Sequence, residues 1–495
     1  MQKIKLTKEP VLDAKHQAFK YQKEAVDSIR DLEYSAVFHE QGLGKSKIAI
    51  DLMLYWLENK VVDTVLFVAK KGLIKNWEKE FASHTHMTPK IITQNERANY
   101  YAFNSPSRLI LAHFEVLKSE RERFELFLKA RNVAIIIDES AKIKNPDSTL
   151  TRTFFALAPL FKRRVVMTGT PAANRPYDIW AQIWFLDQGA SLGNDFTTFK
   201  RSTNLSNELF DNEKLQNNFE SALDQVFNKI SKFTVRETKQ SGIIELPQKI
   251  FKTVLCDWEV HQHDLYRQIK DEMKAVIVKE GIPQLDNSQA VLKRLLRLVQ
   301  VASNPSLIDD NYRTEPGKLL NLVELVEQIA AMKEKCLIWS SFADNVNWLA
   351  DHLSTFGTVK VHGKVNMERR NRAVEKFLTD PETRVFVATP QAAKEGLTLT
   401  VANHVIFYDR TFSLDDYIQA QDRIHRISQT KPCHIYNLIM AESIDEWIEI
   451  LLHSKQLAAQ LTQGDISREY YKSQISYEFG TIIRNILGID NQSTD

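Results

Sequence analysis

The chain has few cysteines and no long apolar runs. These two absences argue against a disulfide-rich, zinc-binding or membrane-spanning protein. Of 495 residues only three are cysteines, Cys256, Cys336 and Cys433, and no two of them form a CxxC pair. This spacing argues against a disulfide framework or a structural zinc site and favours a reducing compartment. No stretch approaches the ~18 consecutive apolar residues of a membrane span. The N-terminal residues MQKIKLTKEPVLDAK lack the apolar core of a signal peptide. We therefore expect a soluble intracellular protein with no membrane partner and no zinc.

The chain also lacks an excess of either charge. Its 65 Lys and Arg residues almost balance its 63 Asp and Glu residues, which leaves a net charge of +2. This balance neither supports nor excludes nucleic-acid binding, because a local basic cleft can bind phosphates inside a near-neutral protein. A hydrophobic content of 43% is ordinary for a globular protein. At roughly 100–200 residues per domain, the length predicts two to four domains.

A glycine loop follows a predicted strand near the N-terminus. The strand is YSAVF (34–38), the loop is HEQGLGKS (39–46), and helical spacing of apolar residues predicts a helix from about Lys45. Gly42 and Gly44 permit the backbone turns with which N–H groups face an anion, and the helix N-terminus adds partial positive charge. Lys45 would then reach the β- and γ-phosphates of a nucleotide, and Ser46 would hold Mg²⁺. The alternative is a tight strand-to-helix turn with a surface lysine, since the full textual pattern would need a glycine where His39 stands.

A second candidate segment reads VAIIIDES (133–140). The continuous apolar run is typical of a strand that is buried on both faces of a parallel sheet. Ligands of such sheets bind beyond the carboxyl ends of the strands, which is where Asp138 and Glu139 stand. Asp138 would hold Mg²⁺ through water, and Glu139 would orient and deprotonate an attacking water. The alternative is a solvated acidic turn.

A third candidate segment, LDDYIQAQDRIHRISQ (414–429), reads as one helix. Gln419, Arg423 and Arg426 then share a face, since they stand at i, i+4 and i+7. The arginines are candidates for stabilising transition-state charge on the γ-phosphate from a second domain, with domain closure completing the site. The alternative is local salt bridging to the neighbouring acids Asp415, Asp416 and Asp422.

Together these segments resemble the SNF2 (SWI2/SNF2) family of superfamily 2 helicase-like ATPases, in order from about Phe19 to about Gly464. FKYQKEAV (19–26) resembles the Q-motif, and HEQGLGKS resembles the family's motif I, which has no glycine at the place of His39. LFVAKKGLIKNWEKE (66–80) resembles motif Ia, and LILAHFEVL (109–117) resembles motif Ib. DESAKIKNP (138–146) resembles motif II, and VVMTGTPAANRPYDIW (165–180) resembles motif III. Motifs IV, V and VI resemble CLIWSSFADNVNWLADHL (336–353), VFVATPQAAKEGLTLTVANHVIFYD (385–409) and QAQDRIHRISQ (419–429).

The resemblance implies a role for individual residues. Gln22 would read the adenine of ATP, and Trp77 of motif Ia is expected in the core rather than on a base. DNA contacts are implied for residues of motifs Ia, Ib, III and V: Lys70, Lys71, His113, Thr168, Thr170, Gly396 and Thr398.

Three departures from the family pattern stand out. Ala141 occupies the place of the histidine in motif II, which puts the coupling of hydrolysis to DNA contacts in doubt. Ser46 replaces the usual threonine, and its hydroxyl can do the same work. Residues 392–395, AAKE, precede Gly396 where small residues are common, which puts the DNA contact or the ATP pocket of motif V in doubt.

The resemblance also implies an α/β fold of two RecA-like lobes with parallel sheets and a helical insertion between them. We predict lobe 1 over residues 1–195 and a helical insertion and inter-lobe linker, poor in strands, over 196–330. Lobe 2 with its bracing helix is predicted over 331–464, and a C-terminal tail over 465–495.

The expected function is that of a DNA-stimulated ATPase, with ATP and Mg²⁺ as cofactors, that translocates on double-stranded DNA. It would remodel protein–DNA complexes or branched DNA, prefer duplex, and have a protein partner for recruitment. The compact form is typical of a bacterial or phage protein, in the cytoplasm and associated with the nucleoid. Two alternatives stay open: a strand-separating DNA helicase, and an ATP-switched non-motor subunit of a larger complex.

Overall fold

The computed structural model describes residues 10–210, 212–243, 245–280, 289–393 and 397–478. The chain forms two compact units. Unit 1 takes the residues up to Asn204 together with Ser221–Ile244 and Leu461–Asp465. Unit 2 takes Leu205–Glu220, Glu245–Gln460 and the residues from Ile466 onward. Each unit is therefore built from several separate stretches of the sequence.

Unit 1 is built on a seven-stranded sheet in the order β3-β4-β2-β5-β6-β1-β7. Its strands are β1 (Tyr34–Val37), β2 (Thr64–Ala69), β3 (Lys90–Ile92), β4 (Leu109–His113), β5 (Val133–Asp138), β6 (Arg163–Met167) and β7 (Thr234–Val235). Every described pairing in this sheet is parallel. All of these strands therefore end at one edge, the carboxyl edge.

Both faces of this sheet are covered by apolar side chains, which explains the continuous apolar runs. In β5, Ile135 and Ile137 enter one core cluster, while Ala134 and Ile136 enter another on the opposite face. Because successive side chains of a strand point to opposite faces, a strand covered on both sides needs apolar residues at every position.

Nine helices lie wholly within the part of unit 1 that the structure describes. They are α1 (Lys20–Ile29), α2 (Lys45–Glu58), α3 (Ile74–His84), α4 (Glu96–Asn104), α5 (Phe114–Ser119), α6 (Arg121–Ala130), α7 (Thr149–Leu157), α8 (Ile179–Asp187) and α9 (Phe196–Thr203). Helix α10 (Glu213–Ile230) begins in unit 2 and ends in unit 1. Helices α1, α2 and α3 supply apolar side chains to the core on one face of the sheet.

Unit 2 is built on a six-stranded sheet in the order β10-β11-β9-β12-β13-β8, again parallel in every described pairing. Its strands are β8 (Lys249–Cys256), β9 (Cys336–Trp339), β10 (Thr358–Val361), β11 (Val385–Ala388), β12 (His404–Phe407) and β13 (Cys433–Met440). The helices are α11 (Val260–Glu280), α12 (Gln289–Ser303), α13 (Gly317–Ala331), α14 (Ala343–His352), α15 (Met367–Thr379), α16 (Pro390–Ala393), α17 (Leu414–Gln421), α18 (Ile444–Thr462) and α19 (Arg468–Gln474). Helix α18 begins in unit 2 and ends in unit 1.

The predicted fold class, two α/β lobes with parallel sheets, is confirmed by these two units. The few strand signals in residues 196–330 left two strands of that segment unpredicted. The segment holds most of α9–α13, but it also contributes β7 to the first sheet and the eight-residue β8 to the second. Strand β8 lies at the edge of its sheet, and Phe251, Lys252 and Thr253 are all exposed. An edge strand with little burial lacks the apolar pattern from which strands are predicted. The predicted domain limits remain predictions.

Among the described helices, none has the length and apolar content needed to cross a membrane. The described residues also contain no group of three or more His, Cys, Asp or Glu side chains placed to hold a metal ion.

Candidate functional site

The glycine loop joins β1 to α2 at the carboxyl edge of the unit 1 sheet. Gly42 and Gly44 both have left-handed backbones, with φ of 87° and 70°. Gly44 caps α2, and a Cβ atom at this position would lie 2.1 Å from Nε2 of Gln22. The left-handed backbone therefore favours glycine at position 44, and a Cβ atom would also displace the Gln22 side chain. The strand, glycine turn and helix that the sequence predicted are all present here.

Lys45 and Gln22 are both held against this loop. The Lys45 ammonium donates to the backbone carbonyls of His39, at 2.8 Å, and Glu40, at 3.1 Å. Gln22 accepts from the Phe19 backbone N–H at 3.0 Å and donates to the Tyr21 hydroxyl at 3.2 Å. The ammonium therefore lies over the loop, and Gln22 lies beside its last glycine, as a nucleotide site requires.

His39 lies beneath the loop as a packing residue. Its side chain is buried and its ring stacks on that of Tyr21, with centroids 6.1 Å apart. Burial, together with the nearby Lys45 charge, lowers the pKa of His39 to about 4. A neutral imidazole at physiological pH adds no positive charge next to Lys45.

Ser46 lies in the first turn of α2. That turn carries no acidic side chain, so the partial positive charge of the helix N-terminus is not offset by the helix itself. The hydroxyl of Ser46 and the carboxylate of Asp138 are the hard oxygen ligands that Mg²⁺ prefers, and Mg²⁺ takes only one or two such ligands from the protein when phosphates supply others.

Asp138 is the last residue of β5, and its carboxylate accepts a hydrogen bond from Nε1 of Trp77 at 2.9 Å. Burial and the neighbouring Glu139 raise the pKa of Asp138, while Trp77, Lys45 and Lys70 lower it, and the net pKa is about 6. Burial and the neighbouring negative charge thus destabilise the ionised carboxylate of Asp138. A bound cation such as Mg²⁺ would compensate this charge, so the residues present fit such a cation. Trp77 itself is buried against Phe67 and Phe81, as expected.

Glu139 stands at the turn that follows β5. Its backbone is left-handed, with φ 55° and ψ 50°, a conformation that costs a non-glycine residue about 1–2 kcal/mol. Strain of this kind is common at functional sites. Its carboxylate accepts a hydrogen bond from Nε2 of Gln41 in the glycine loop at 3.0 Å. Gln41 was not among the predicted site residues, because nothing in the sequence links positions 41 and 139.

Thr168 and Thr170 follow β6 at the same edge of the sheet. Both side chains are buried, and the Thr168 hydroxyl accepts a hydrogen bond from the Thr170 backbone N–H at 3.2 Å. Between them, Gly169 packs directly on Gln41, since a Cβ atom here would lie 3.0 Å from its backbone nitrogen. The predicted segments 39–46, 138–139 and 168–170 are therefore neighbours.

The remaining residues predicted to contact DNA differ in exposure. Lys70 and Lys71 follow β2 at the carboxyl edge, where Lys71 is exposed and Lys70 half-buried. His113, the last residue of β4, is buried, and its Nδ1 lies 3.0 Å from a carboxylate oxygen of Glu115. In unit 2, Thr398 is exposed. Gly396 lies outside the described residues.

Arg423 and Arg426 lie in unit 2, beyond the end of α17. The predicted helix over 414–429 is wrong in its second half, because α17 ends at Gln421. The backbone N–H of Leu399 donates to the Arg423 carbonyl at 2.9 Å, and the Gln429 amide donates to the Ile424 carbonyl at 3.0 Å. The Arg423 carbonyl thus bonds to another segment and the Ile424 carbonyl to a side chain, rather than to backbone N–H groups of a next helical turn, so the single shared face is lost.

Each of these two arginines is held by hydrogen bonds. Arg423 is buried and donates to the Leu397 carbonyl at 3.3 Å. Arg426 donates to the Thr398 hydroxyl at 2.7 Å. A candidate hydrolysis residue and a candidate DNA-contact residue therefore touch each other within unit 2.

Comparison with known proteins gives two domain matches in sequence order. The model of the SNF2-related domain matches residues 21–307, and that of the helicase conserved C-terminal domain matches residues 317–428.

Curated relatives are bacterial as well as eukaryotic. The ATP-dependent helicase MG018 of Mycoplasma genitalium, itself uncharacterised, is 27% identical over 88% of this chain and 41% of its own length. YwqA of Bacillus subtilis, provisionally named an ATP-dependent helicase/translocase, is 28% identical over 86% of this chain and 46% of its own length. The chain thus spans less than half the length of these two relatives.

Among solved structures, the Sulfolobus solfataricus SWI2/SNF2 ATPase core in complex with dsDNA has 23% sequence identity and a TM-score of 0.42. It covers 95% of this chain and 99% of that one. A TM-score this low carries no weight, so the assignment rests on the domain models. Since the SNF2-related domain model matches more than half of the chain, with the helicase C-terminal domain following it in order, the protein belongs to the SNF2 family.

Proposed function

We propose that this chain is the ATPase core of a motor that hydrolyses ATP when it is bound to DNA and moves along the duplex. One observation supports the proposal above the others. The carboxyl edge of the unit 1 sheet gathers the Lys45 loop, the acid pair Asp138 and Glu139, and the Thr168–Thr170 turn. This edge is where parallel sheets bind ligands.

Each group at this edge has a distinct task in the proposed reaction. The loop and Lys45 bind the phosphates, and Gln22 contacts the base. Glu139 accepts a proton from the attacking water. Asp138 and Ser46 would hold Mg²⁺, which when bound would neutralise charge on the phosphates. Arg423 and Arg426 are proposed to stabilise charge in the transition state.

The DNA contacts are proposed to follow the phosphate backbone. Lys70 and Lys71 lie at the same edge as the hydrolytic acids, and Thr398 is hydrogen-bonded to Arg426. Contacts to phosphate rather than to base edges predict binding that depends weakly on sequence and strongly on salt. The Bacillus relative's name includes both helicase and translocase activity, and we favour duplex translocation over strand separation.

Steady-state ATP hydrolysis tests this proposal. Turnover is measured without nucleic acid and with single-stranded, duplex or forked DNA, at two salt concentrations. We expect duplex DNA to stimulate turnover most strongly and this stimulation to fall at the higher salt concentration. In a second assay, the protein should displace a triplex-forming strand from duplex DNA. Stimulation by single strands alone, with unwinding of a forked duplex, would favour the strand-separating helicase. Absence of turnover under every condition would favour an ATP-switched subunit.

Three variants assign the chemistry. Lys45→Ala should lose nucleotide binding or turnover, whereas Lys20→Ala, which removes an exposed lysine of α1, should behave as wild type. Glu139→Gln should bind ATP but turn over slowly. Arg426→Ala should lose turnover with near-normal ATP affinity, and normal turnover would refute its assigned role.

A further inference from the structure

A buried hydrogen-bonded bridge joins the turn that carries Glu139 to the loop after β6. Ser140 and Gln182, a residue of α8, are both completely buried. The Ser140 hydroxyl donates to Oε1 of Gln182 at 2.7 Å. Nε2 of Gln182 in turn donates to the backbone carbonyls of Pro171 and Asp178, each at 2.9 Å.

This bridge has only one orientation. The two carbonyls can only accept, so the Gln182 nitrogen must face them and its oxygen must face the Ser140 hydroxyl. The amide uses both of its N–H groups and its carbonyl oxygen. A buried network in which these groups are paired is rigid, and removal of one partner leaves another unpaired and buried.

The bridge is one side of a closed circuit around the hydrolytic acid. On the other side, Gln41 donates to the Glu139 carboxylate, and Gly169 packs on the Gln41 backbone. The loop after β6 is therefore linked to the turn of Glu139 by two routes, one through Gln182 of α8 and one through Gln41 of the glycine loop. A displacement of this loop would therefore strain the contacts that hold Glu139.

The position next to Ser140 cannot provide such a link. Ala141 is half-buried and has no polar side-chain atom. Among the described residues of unit 1, the side-chain hydrogen bonds that connect the turn after β5 to other segments include Gln41 to Glu139 and Ser140 to Gln182. Coupling between this turn and the loop after β6 thus has an identifiable physical route without a histidine.

We propose that Ser140 and Gln182 are positioning residues that hold Glu139 relative to the Thr168–Pro171 loop, so that DNA bound near this loop accelerates hydrolysis. The inference rests on the proposed function. Neither residue is proposed to touch ATP, so the loss of the bridge should lower turnover and leave nucleotide binding unchanged. A misplacement of about 1 Å at a reacting group can cost roughly 100-fold in rate.

The test compares Gln182→Leu with Gln262→Leu. Gln262 is an equally buried glutamine of unit 2 that donates to the Val301 carbonyl at 2.7 Å and accepts from the Gly317 N–H at 2.9 Å. The two substitutions remove the same kind of buried amide, so they should lower stability by similar amounts. We expect Gln182→Leu to reduce DNA-stimulated kcat about tenfold or more, with the KM for ATP within about twofold of wild type. The ratio of turnover with and without DNA should fall towards one, whereas Gln262→Leu should retain that ratio.

Ser140→Ala provides a second variant that keeps the Gln182 bonds to Pro171 and Asp178. It should show the same selective loss of kcat to a smaller degree. If Gln182→Leu does not fold, Ser140→Ala decides alone. Turnover and DNA stimulation in Ser140→Ala or Gln182→Leu equal to those of Gln262→Leu would overturn the inference. A wild-type protein without DNA-stimulated turnover would instead refute the proposed function on which it rests.

Discussion

The ion pair between Arg236 and Asp465 should be one of the strongest single interactions in unit 1. Nε and Nη2 of Arg236 donate to the two carboxylate oxygens of Asp465, at 2.6 and 2.5 Å. The two side chains are only 10% and 12% exposed. A third donor, Nη1, reaches the backbone carbonyl of Phe38. Through Arg236, the pair therefore connects Asp465, which is 229 positions further along the chain than Arg236, to Phe38 at the start of the glycine loop.

Replacement of Asp465 by Asn keeps the shape of the side chain and removes the charge. It leaves a buried guanidinium without its counter-ion, for which the expected loss is about 3–5 kcal/mol of unit 1 stability. At 1.4 kcal/mol for each factor of ten, even the lower value corresponds to a roughly 100-fold change in an equilibrium constant. A double-mutant cycle with Arg236→Ala isolates the coupling energy of the pair.

Amide hydrogen exchange locates the effect. The N–H of Phe38 is bonded to the Val235 carbonyl and that of Glu40 to the Glu237 carbonyl, both at 2.9 Å. Both amides flank the carbonyl that Arg236 holds, so we expect each to exchange faster in Asp465→Asn.

A matched control is the exposed pair of Arg152 and Asp147, which are 68% and 79% exposed with a separation of 3.4 Å. Exposed pairs contribute at most about 1 kcal/mol. A coupling energy for Arg236 and Asp465 no larger than that of this control, or unchanged exchange at Phe38 and Glu40, would refute the reasoning.

Three further predictions concern individual groups. Gly44→Ala should raise the KM for ATP about tenfold or more, because strain of about 1–2 kcal/mol adds to a clash with Gln22, and a fluorescent ATP analogue should bind correspondingly weakly. Trp77→Phe removes a hydrogen bond that lowers the pKa of Asp138, so this pKa should rise. More Mg²⁺ should then be needed for half-maximal turnover at pH 7. The difference from wild type should vanish at higher pH, where Asp138 is ionised in both proteins. Burial raises the pKa of Glu334, but hydrogen bonds from its neighbours outweigh this and hold it at about 2, against an ordinary value of 4.5. The contribution of the Glu334 carboxylate to stability is therefore complete above pH 4.5 and is lost as the pH falls towards 2. Glu334→Gln should lower the free energy of unfolding at pH 7 by about 1–2 kcal/mol after allowance for solvent screening. It should also weaken the dependence of that free energy on acid pH, as urea unfolding at several pH values would show.

Much of the fold and family could be predicted from local patterns. The loop at Gly42–Ser46, the strand that ends at Asp138 and the helix from Lys45 appear as predicted. Each depends on the spacing of apolar residues and on the turn chemistry of glycine, which adjacent residues determine among themselves. The order of the motifs identified the SNF2 family, and the domain models confirm it.

Predictions failed where distant segments compete for the backbone. The helix predicted over 414–429 ends at Gln421, since carbonyls beyond it bond to Leu399 and Gln429 rather than within the helix. Strand β8 was missed because half of its residues at the sheet edge are exposed. In both cases the local pattern is ambiguous, and tertiary contacts decide between the alternatives.

The sequence by itself therefore determined the family, the parallel α/β class and the residue types at the candidate nucleotide site, because each is encoded within a few adjacent positions. Only the tertiary structure decided which side chains hold them. The bonds of Gln41 to Glu139, Ser140 to Gln182 and Arg236 to Asp465 join residues 98, 42 and 229 positions apart. Such partners are chosen by the packing of strands and helices in three dimensions, and no periodicity along the chain records that choice.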